Sequence, residues 1–346
     1  MFVLSLLFVF AWILTWAIRR VVIAKEILDI PNHRSAHTLP TPRGGGAAFV
    51  ICFLMALVIL KMLGMLDALL FVSYISAGLL VALLGFMDDK YTLPSHWRLL
   101  GHFIAAGIMI YGLQGLPALE LFSWVLPAGV LLNVLGLFYL VWLLNLYNFM
   151  DGIDGIASVE LISVCLGAAC LYWFSGMPAL MILPLLLAVS VAGFLCWNFP
   201  PARIFMGDVG SGFLGLMVGC FAIQAAHVNM NFFWSWLILL GVFIVDATYT
   251  LFHRLFRACK VYEAHQSHAY QRAARHFGSH RLITLSVLMV NMVWLFPIAM
   301  FVGLNYLLSW EGLLLAYMPL IILAIKFKAG ASGSNLVELK TEEKGI

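Results

Sequence analysis

Runs of about twenty apolar residues recur from one end of the chain to the other, and the short segments between them hold almost all of its charge. About 20 such residues span the hydrocarbon core of a bilayer. The runs fall at residues 2–18, 46–64, 68–87, 99–114, 124–144, 158–174, 178–197, 211–229, 232–252, 282–303 and 306–325. In hydrocarbon a spanning segment must satisfy its own backbone polar groups, which a helix does within itself. Runs this long and continuous point to helices. With 64% hydrophobic and only 10% charged residues, a soluble domain is excluded. The expectation is an all-α integral membrane protein with about eleven transmembrane helices. Residues 1–329 form one polytopic domain, and the small, polar, charged tail 330–346 is expected to be disordered.

Lys and Arg accumulate on the cytoplasmic side of a membrane. With the spans above, only Lys61 of the 19 basic residues lies on one face. Arg19, Arg20, Lys25, Arg34, Arg43, Lys90, Arg98, Arg203 and the group from Arg254 to Arg281 share the other. The longer connections are therefore cytoplasmic, the N-terminus is outside and the C-terminus is cytoplasmic. The first run has no basic segment before it and leads directly into Arg19 and Arg20, so it reads as a retained anchor. Basic loops beside anionic lipid headgroups account for the net charge of +3 without a nucleic-acid partner. The six cysteines form no CxxC pair and lie mostly within apolar runs, which argues against disulfides and zinc.

The cytoplasmic segments carry the chemistry. The third run ends in Gly85-Phe86-Met87-Asp88-Asp89-Lys90. Adjacent carboxylates at a helix C-terminus repel each other and oppose the helix dipole, so a cation or a shared proton is required there. The plainer alternative is a solvated end paired with Lys90 and Arg98. The next loop reads Asn145-Leu-Tyr-Asn148-Phe-Met-Asp151-Gly-Ile-Asp154-Gly155. Asp151 and Asp154, three apart, would share one face of a helical turn. Together with Asn148 they offer the hard oxygens magnesium takes alongside substrate phosphates, although an Asx-stabilised turn uses the same residues. Residues 198–212, NFPPARIFMGDVGSG, run directly into a helix. The amides of Asp208 to Ser211 are therefore expected to face a phosphate, with Asp208 as a metal ligand or simply an N-cap.

His265 and His268 sit among Arg254, Arg257, Arg272, Arg275 and Arg281, a patch suited to a phosphate or a lipid headgroup. Zinc would need a third ligand that is not there. Arg34, His37, Arg43 and Gly44 to Gly46 read either as a basic lid over a phosphate or as an ordinary connector. Asp246 and Glu160 lie toward cytoplasmic helix ends, where they can support the same pocket. Asn133, Asn291 and His227 read as interhelical hydrogen-bonding groups. The set forms a site for a divalent cation and a diphosphate at the membrane surface, with a lipid acceptor arriving between helices, and its natural reaction is phosphoryl transfer.

In order along the chain, RSAHTLPTPRGGG (34–46), GFMDDK (85–90), NFMDGIDG (148–155), FMGDVGSG (205–212) and AHQSHAYQR (264–272) resemble the motifs of the polyprenyl-phosphate N-acetylhexosamine-1-phosphate transferases. Within that superfamily the likeness is to bacterial enzymes that initiate O-antigen or related glycans. The resemblance implies transfer of a sugar 1-phosphate from a UDP-N-acetylhexosamine to undecaprenyl phosphate in the bacterial inner membrane, releasing UMP. It implies magnesium as cofactor, with manganese as the alternative. It also implies that Asp208 binds the metal and that Asp88 or Asp89 serves as base or nucleophile. Asn148, Asp151 and Asp154 would organise the nucleotide site, Phe205 would stack on uracil, Asn198 would bond it, and His265 and His268 would contact the diphosphate. Relatives place the histidines of this loop closer together, so which of the two inherits the role stays open. A homodimer is compatible with all of this. The rival readings are a carrier of a phosphorylated lipid or nucleotide sugar, whose key polar groups would belong near the bilayer midplane, and a lipid phosphatase.

Overall fold

The computed structural model describes residues 2–29, 40–91, 93–121, 124–257 and 266–331. Its helices are α1 (Phe2–Ala24), α2 (Gly46–Met62), α3 (Ala68–Tyr91), α4 (Ser95–Gly112), α5 (Val130–Met150), α6 (Ile156–Phe174), α7 (Ile182–Asn198), α8 (Asp208–Ala226), α9 (Met230–Leu239), α10 (Gly241–Phe256), α11 (Ala269–Phe277), α12 (His280–Val290), α13 (Phe296–Gly303) and α14 (Ser309–Lys326). Helix occupies part of every apolar run. By length and composition, eight helical stretches among the described residues can cross a membrane, or nine if α9 and α10, bent by 71°, count as one. Helix α2 is apolar but only 17 residues long. Helix α4 carries His96, Arg98 and His102 in its first half.

Four boundaries differ from the sequence reading. Helix α3 continues through Asp88 and Asp89, and α8 begins on Asp208 itself. The run at 124–144 opens as a hairpin, Leu119–Leu121 paired with Trp124–Leu126, so α5 starts six residues late and extends to Met150, taking Asn145 and Asn148 onto the helix. The fourth is the bend between α9 and α10 at Leu240. A second short hairpin pairs Leu28–Asp29 with Thr41–Pro42.

Helix α8 is the axis of the molecule and is buried along almost its whole length. It packs against α3 and α5, with α2 and α9 completing its surroundings. Aromatic contacts fill the seams, Phe213 edge-on against Phe53 with ring centres 6.0 Å apart and Phe221 tilted against Tyr74 at 6.1 Å. Between α12 and α13 the helix widens into a π-helical turn, Asn291–Leu295. There the Asn291 amide donates to Glu160 Oε2 at 2.7 Å and to Ser163 Oγ at 2.8 Å on α6. The π turn re-aims Asn291 toward its partners, a recurrent use of such an insertion.

Beyond α14 the chain turns back. The Gly330 amide donates to the Ser267 carbonyl at 2.7 Å, and the Arg272 guanidinium donates to the Ala331 carbonyl at 2.5 Å. The rest of the tail, 332–346, lies outside the described residues.

Replacing Asn291 with Leu strands a buried Glu160 oxygen, and such orphaned acceptors cost about 1–3 kcal/mol. The N291L variant is expected to unfold at a lower temperature in detergent than wild type. Glu160→Gln keeps the acceptor oxygen and is expected to lose far less.

Candidate active site

The ends of α3 and α8 meet at Gly85, where a side chain is impossible: a Cβ there would lie 2.4 Å from the Asp208 carbonyl carbon and oxygen. This contact brings Asp88 and Asp89 to the first turn of α8. Asp89, with its side chain only 3% exposed, accepts the Asp208 amide at 3.0 Å and the Val209 amide at 3.4 Å. The next two amides, of Gly210 and Ser211, donate to the Gly207 carbonyl at 3.0 and 3.1 Å. The expected phosphate cradle of α8 amides is thus corrected: all four have protein acceptors, and Asp89 takes the place beside the positive end of the helix that an anion would occupy. Gly207 permits this with φ +75°, and a Cβ there would meet Asp89 Oδ2 at 2.4 Å.

Two guanidiniums bridge the carboxylates. Arg43 places Nε 2.7 Å from Asp89 Oδ1 and Nη2 2.6 Å from Asp208 Oδ1. Arg98 of α4 bonds Asp88 and lies 3.3 Å from Asp208 Oδ2. Asp88 also accepts the Leu93 amide at 2.7 Å. The Asp88 carboxyl stands close enough to Asp208 to affect it electrostatically, and Asn148 shares a cavity wall with it. Burial works against the Arg43 charge, but Asp89, Asp208 and Asp29 outweigh it and hold its pKa above the ordinary value. Asp151 follows α5 directly. Burial first, and then the Asp208 charge, pushes its carboxyl well above the usual range despite Arg43.

Asp154 goes elsewhere. Its carboxylate accepts the Ala202 amide at 3.0 Å and lies 3.4 Å from His280 Nδ1, while its carbonyl accepts Thr284 Oγ1 at 2.8 Å. Helix α5 ends at Met150 and Gly155 has φ +73°, so the expected shared helical face for Asp151 and Asp154 does not form. Asn198 is buried, accepting from the Gly155 amide at 3.1 Å and donating to the Ile204 carbonyl at 3.0 Å. Phe205 is half-buried, and its backbone pairs with Pro42 and Gly45, laying the 42–46 segment beside the site. His268 is 3% exposed, with its ring stacked on Phe149 at 6.5 Å between centres. Arg34, His37 and His265 lie outside the described residues.

Arg98 and His102 belong to the site although only Arg98 was considered, as a mere partner of the aspartate pair. They line a cavity of about 20 Å³ with Asn145, Asn148, Phe149 and Asp208, room for one water-sized particle. Their four-residue spacing on one face of α4 was the available signal. Among the described residues no three His, Cys, Asp or Glu side chains stand close enough to ligate one ion. The donor set still fits magnesium, which is commonly held by one or two carboxylates with substrate phosphates completing its shell. Asp208 and Asp88 supply oxygens of that kind, and Asn148 lines the same cavity as Asp208.

Residues 70–226, which include this junction of α3, α5 and α8, match the model of glycosyl transferase family 4. The class defined by fold and site is therefore a polytopic membrane glycosyl transferase. Over 94% of its length the chain is 28% identical to the probable undecaprenyl-phosphate N-acetylglucosaminyl 1-phosphate transferase of Bacillus subtilis (strain 168), covering 89% of that protein. It is 29% identical to the decaprenyl-phosphate N-acetylglucosaminephosphotransferase of Mycolicibacterium smegmatis over 63% of the chain and 57% of that protein. The corresponding figures for the phospho-N-acetylmuramoyl-pentapeptide-transferase of Streptococcus pyogenes serotype M49 are 28%, 64% and 68%. The family match and these relatives agree with the likeness of the motifs to the polyprenyl-phosphate N-acetylhexosamine-1-phosphate transferase superfamily.

A carboxyl whose folded pKa is raised loses its proton more readily in the unfolded chain, so stability falls as pH climbs from the unfolded value of about 3.9. Asp151→Asn is therefore expected to match wild type near pH 4 and to melt at a higher temperature at pH 7–8. Thermal unfolding in detergent with a chelator present measures this. Asp89→Ala, which uncaps α8, is expected to cost about 1–2 kcal/mol, whereas Asp88→Ala is expected to melt closer to wild type in the same assay.

Proposed function

We propose that the protein transfers an N-acetylhexosamine 1-phosphate from a UDP-sugar to undecaprenyl phosphate, releasing UMP and forming the first lipid-linked intermediate of a surface glycan such as O-antigen. The observation that carries the reading is the convergence of Asp88, Asp89, Asp151 and Asp208 with Arg43 and Arg98 at the junction of α3 and α8. Relatives named for transfer of sugar phosphates to polyprenyl phosphates support it. The near-exclusive placement of Lys and Arg on one side of the apolar runs, taken as the eleven spans expected from the sequence, supports a cytoplasmic site in the inner membrane, with the N-terminus outside.

In this reading a phosphate oxygen of the lipid attacks the β-phosphorus of the nucleotide sugar. The bond from that phosphorus to the bridging oxygen breaks, and UMP leaves with the electron pair. The acceptor oxygen is already a competent nucleophile, so the protein's work is orientation and charge relief. Asp88 is the better placed of the aspartate pair to face the acceptor, because Asp89 is committed to two backbone amides. Arg43 and Arg98 neutralise the diphosphate, and His268 contacts it. A bound magnesium, or manganese in its place, would polarise the phosphoryl oxygens, with Asp208 as its protein ligand. Asp151 and Asn148 shape the nucleotide side. Asp154, Asn198 and Phe205 support the walls, with Phe205 near enough to the 42–46 segment to close over a base.

The purified protein in detergent, given undecaprenyl phosphate and a panel of UDP-N-acetylhexosamines, is expected to form a lipid-linked sugar and one equivalent of UMP. Release of inorganic phosphate instead would favour the phosphatase reading, and no conversion at all would favour a carrier. Asp208→Asn is expected to lower turnover by about 100-fold or more in a protein that still folds, and near-normal turnover would remove Asp208 from the metal. Stoichiometric UMP release without acceptor would replace direct attack with a covalent aspartyl step.

A further inference from the structure

Asp246 is a buried carboxyl, 6% exposed, within the apolar helix α10. Its Oδ1 accepts the Ala269 amide at 2.9 Å and Thr250 Oγ1 at 3.1 Å, and lies 3.3 Å from His268 Nδ1. Its Oδ2 accepts the Tyr270 amide at 2.9 Å. An acidic group inside a membrane helix is costly and requires a reason. Capping alone is a poor one, because a Ser, Thr, Asp or Asn at the N-cap of α11 would do it locally. That position is held by His268, whose amide donates to the Gln271 side chain at 3.3 Å. The acceptor for the Ala269 and Tyr270 amides comes from another helix, and the His268 imidazole lies between that carboxylate and the Phe149 ring.

The same helix reaches the aspartate cluster. Tyr270 Oη donates to the Phe149 carbonyl at 3.0 Å. Phe149 and its neighbour Asn148 line the same small cavity as Asp208. We propose that Asp246 is a positioning residue for the transfer reaction: it clamps the first turn of α11 and so fixes His268 and the Tyr270 to Phe149 strut against the nucleotide side of the site. The inference rests on the transferase reading, in which His268 contacts the diphosphate.

The test is binding of UDP-N-acetylglucosamine with magnesium by calorimetry, paired with hydrogen exchange of residues 266–277, for D246A, D246N, H268A and the double variant D246A/H268A. The expected result for D246A is faster exchange at the Ala269 and Tyr270 amides and a Kd raised about 10-fold or more. D246N, which keeps the volume and one acceptor oxygen, is expected to fall between D246A and wild type, and it carries the comparison if D246A does not fold. Because Asp246 acts through His268, the two single effects should be far from additive in the double variant. Wild-type affinity in D246A or D246N beside a weakened H268A overturns the inference alone, as does full additivity. Wild-type affinity in H268A overturns the role of His268, and this inference with it.

Discussion

Like charges forced together at a membrane boundary set the terms for everything else in this protein. Asp88, Asp89 and Asp208 meet where α3 ends and α8 begins, and Asp151 lies close enough to feel them. Two unit charges 4 Å apart interact by about 4 kcal/mol at an effective dielectric near 20. Several such repulsions rival the whole net stability of a typical fold, about 5–15 kcal/mol. The cluster persists because Arg43 arrives from the first connection, Arg98 from α4, and the positive end of α8 from beneath. Three segments distant in sequence are needed to neutralise one point. That requirement fixes how they pack.

Positioning is achieved by backbone contact. Gly85 lets α3 touch the start of α8, and the left-handed backbone at Gly207 makes room for the Asp89 carboxylate. Helix α8, buried from end to end, then carries that register into the centre of the molecule. On the opposite side, the late start of α5 slides Asn148 to within reach of Asp208 and leaves Asp151 just past the helix end.

The apolar runs made the helices legible because the length needed to cross hydrocarbon is an absolute requirement. Their ends were less legible, since a polar residue can close a helix or ride its last turn with little local difference. Polarity puts Asp88, Asp89 and Asp208 at the edges of their helices, and long-range neutralisation lets the helices include them. Trp124 to Leu126 are as apolar as the helix that follows them, and only Pro127 and Gly129 hinted at the hairpin. Spacing misled at Asp154, whose partners, Ala202 and His280, lie far along the chain. It was overlooked at Arg98 and His102, where it was informative. The convergence of the remaining aspartates was readable from the order of their motifs.

The partners of each aspartate also separate scaffold from chemistry. A carboxylate tied to backbone amides cannot change partners without moving a helix. Asp89 is held this way by α8, and Asp154 by the turn at Ala202. Asp88 is intermediate, anchored by the Leu93 amide on one oxygen and by Arg98 on the other. The Asp208 carboxyl is instead held by the Arg43 and Arg98 side chains, and side chains can rotate away. Of the four, Asp208 is therefore the group whose oxygens can be exchanged for a new cation at the least structural cost. It also borders the water-sized cavity beside Arg98 and His102. An incoming diphosphate would draw both guanidiniums toward its own oxygens, and the carboxylate they release is the one already facing open space.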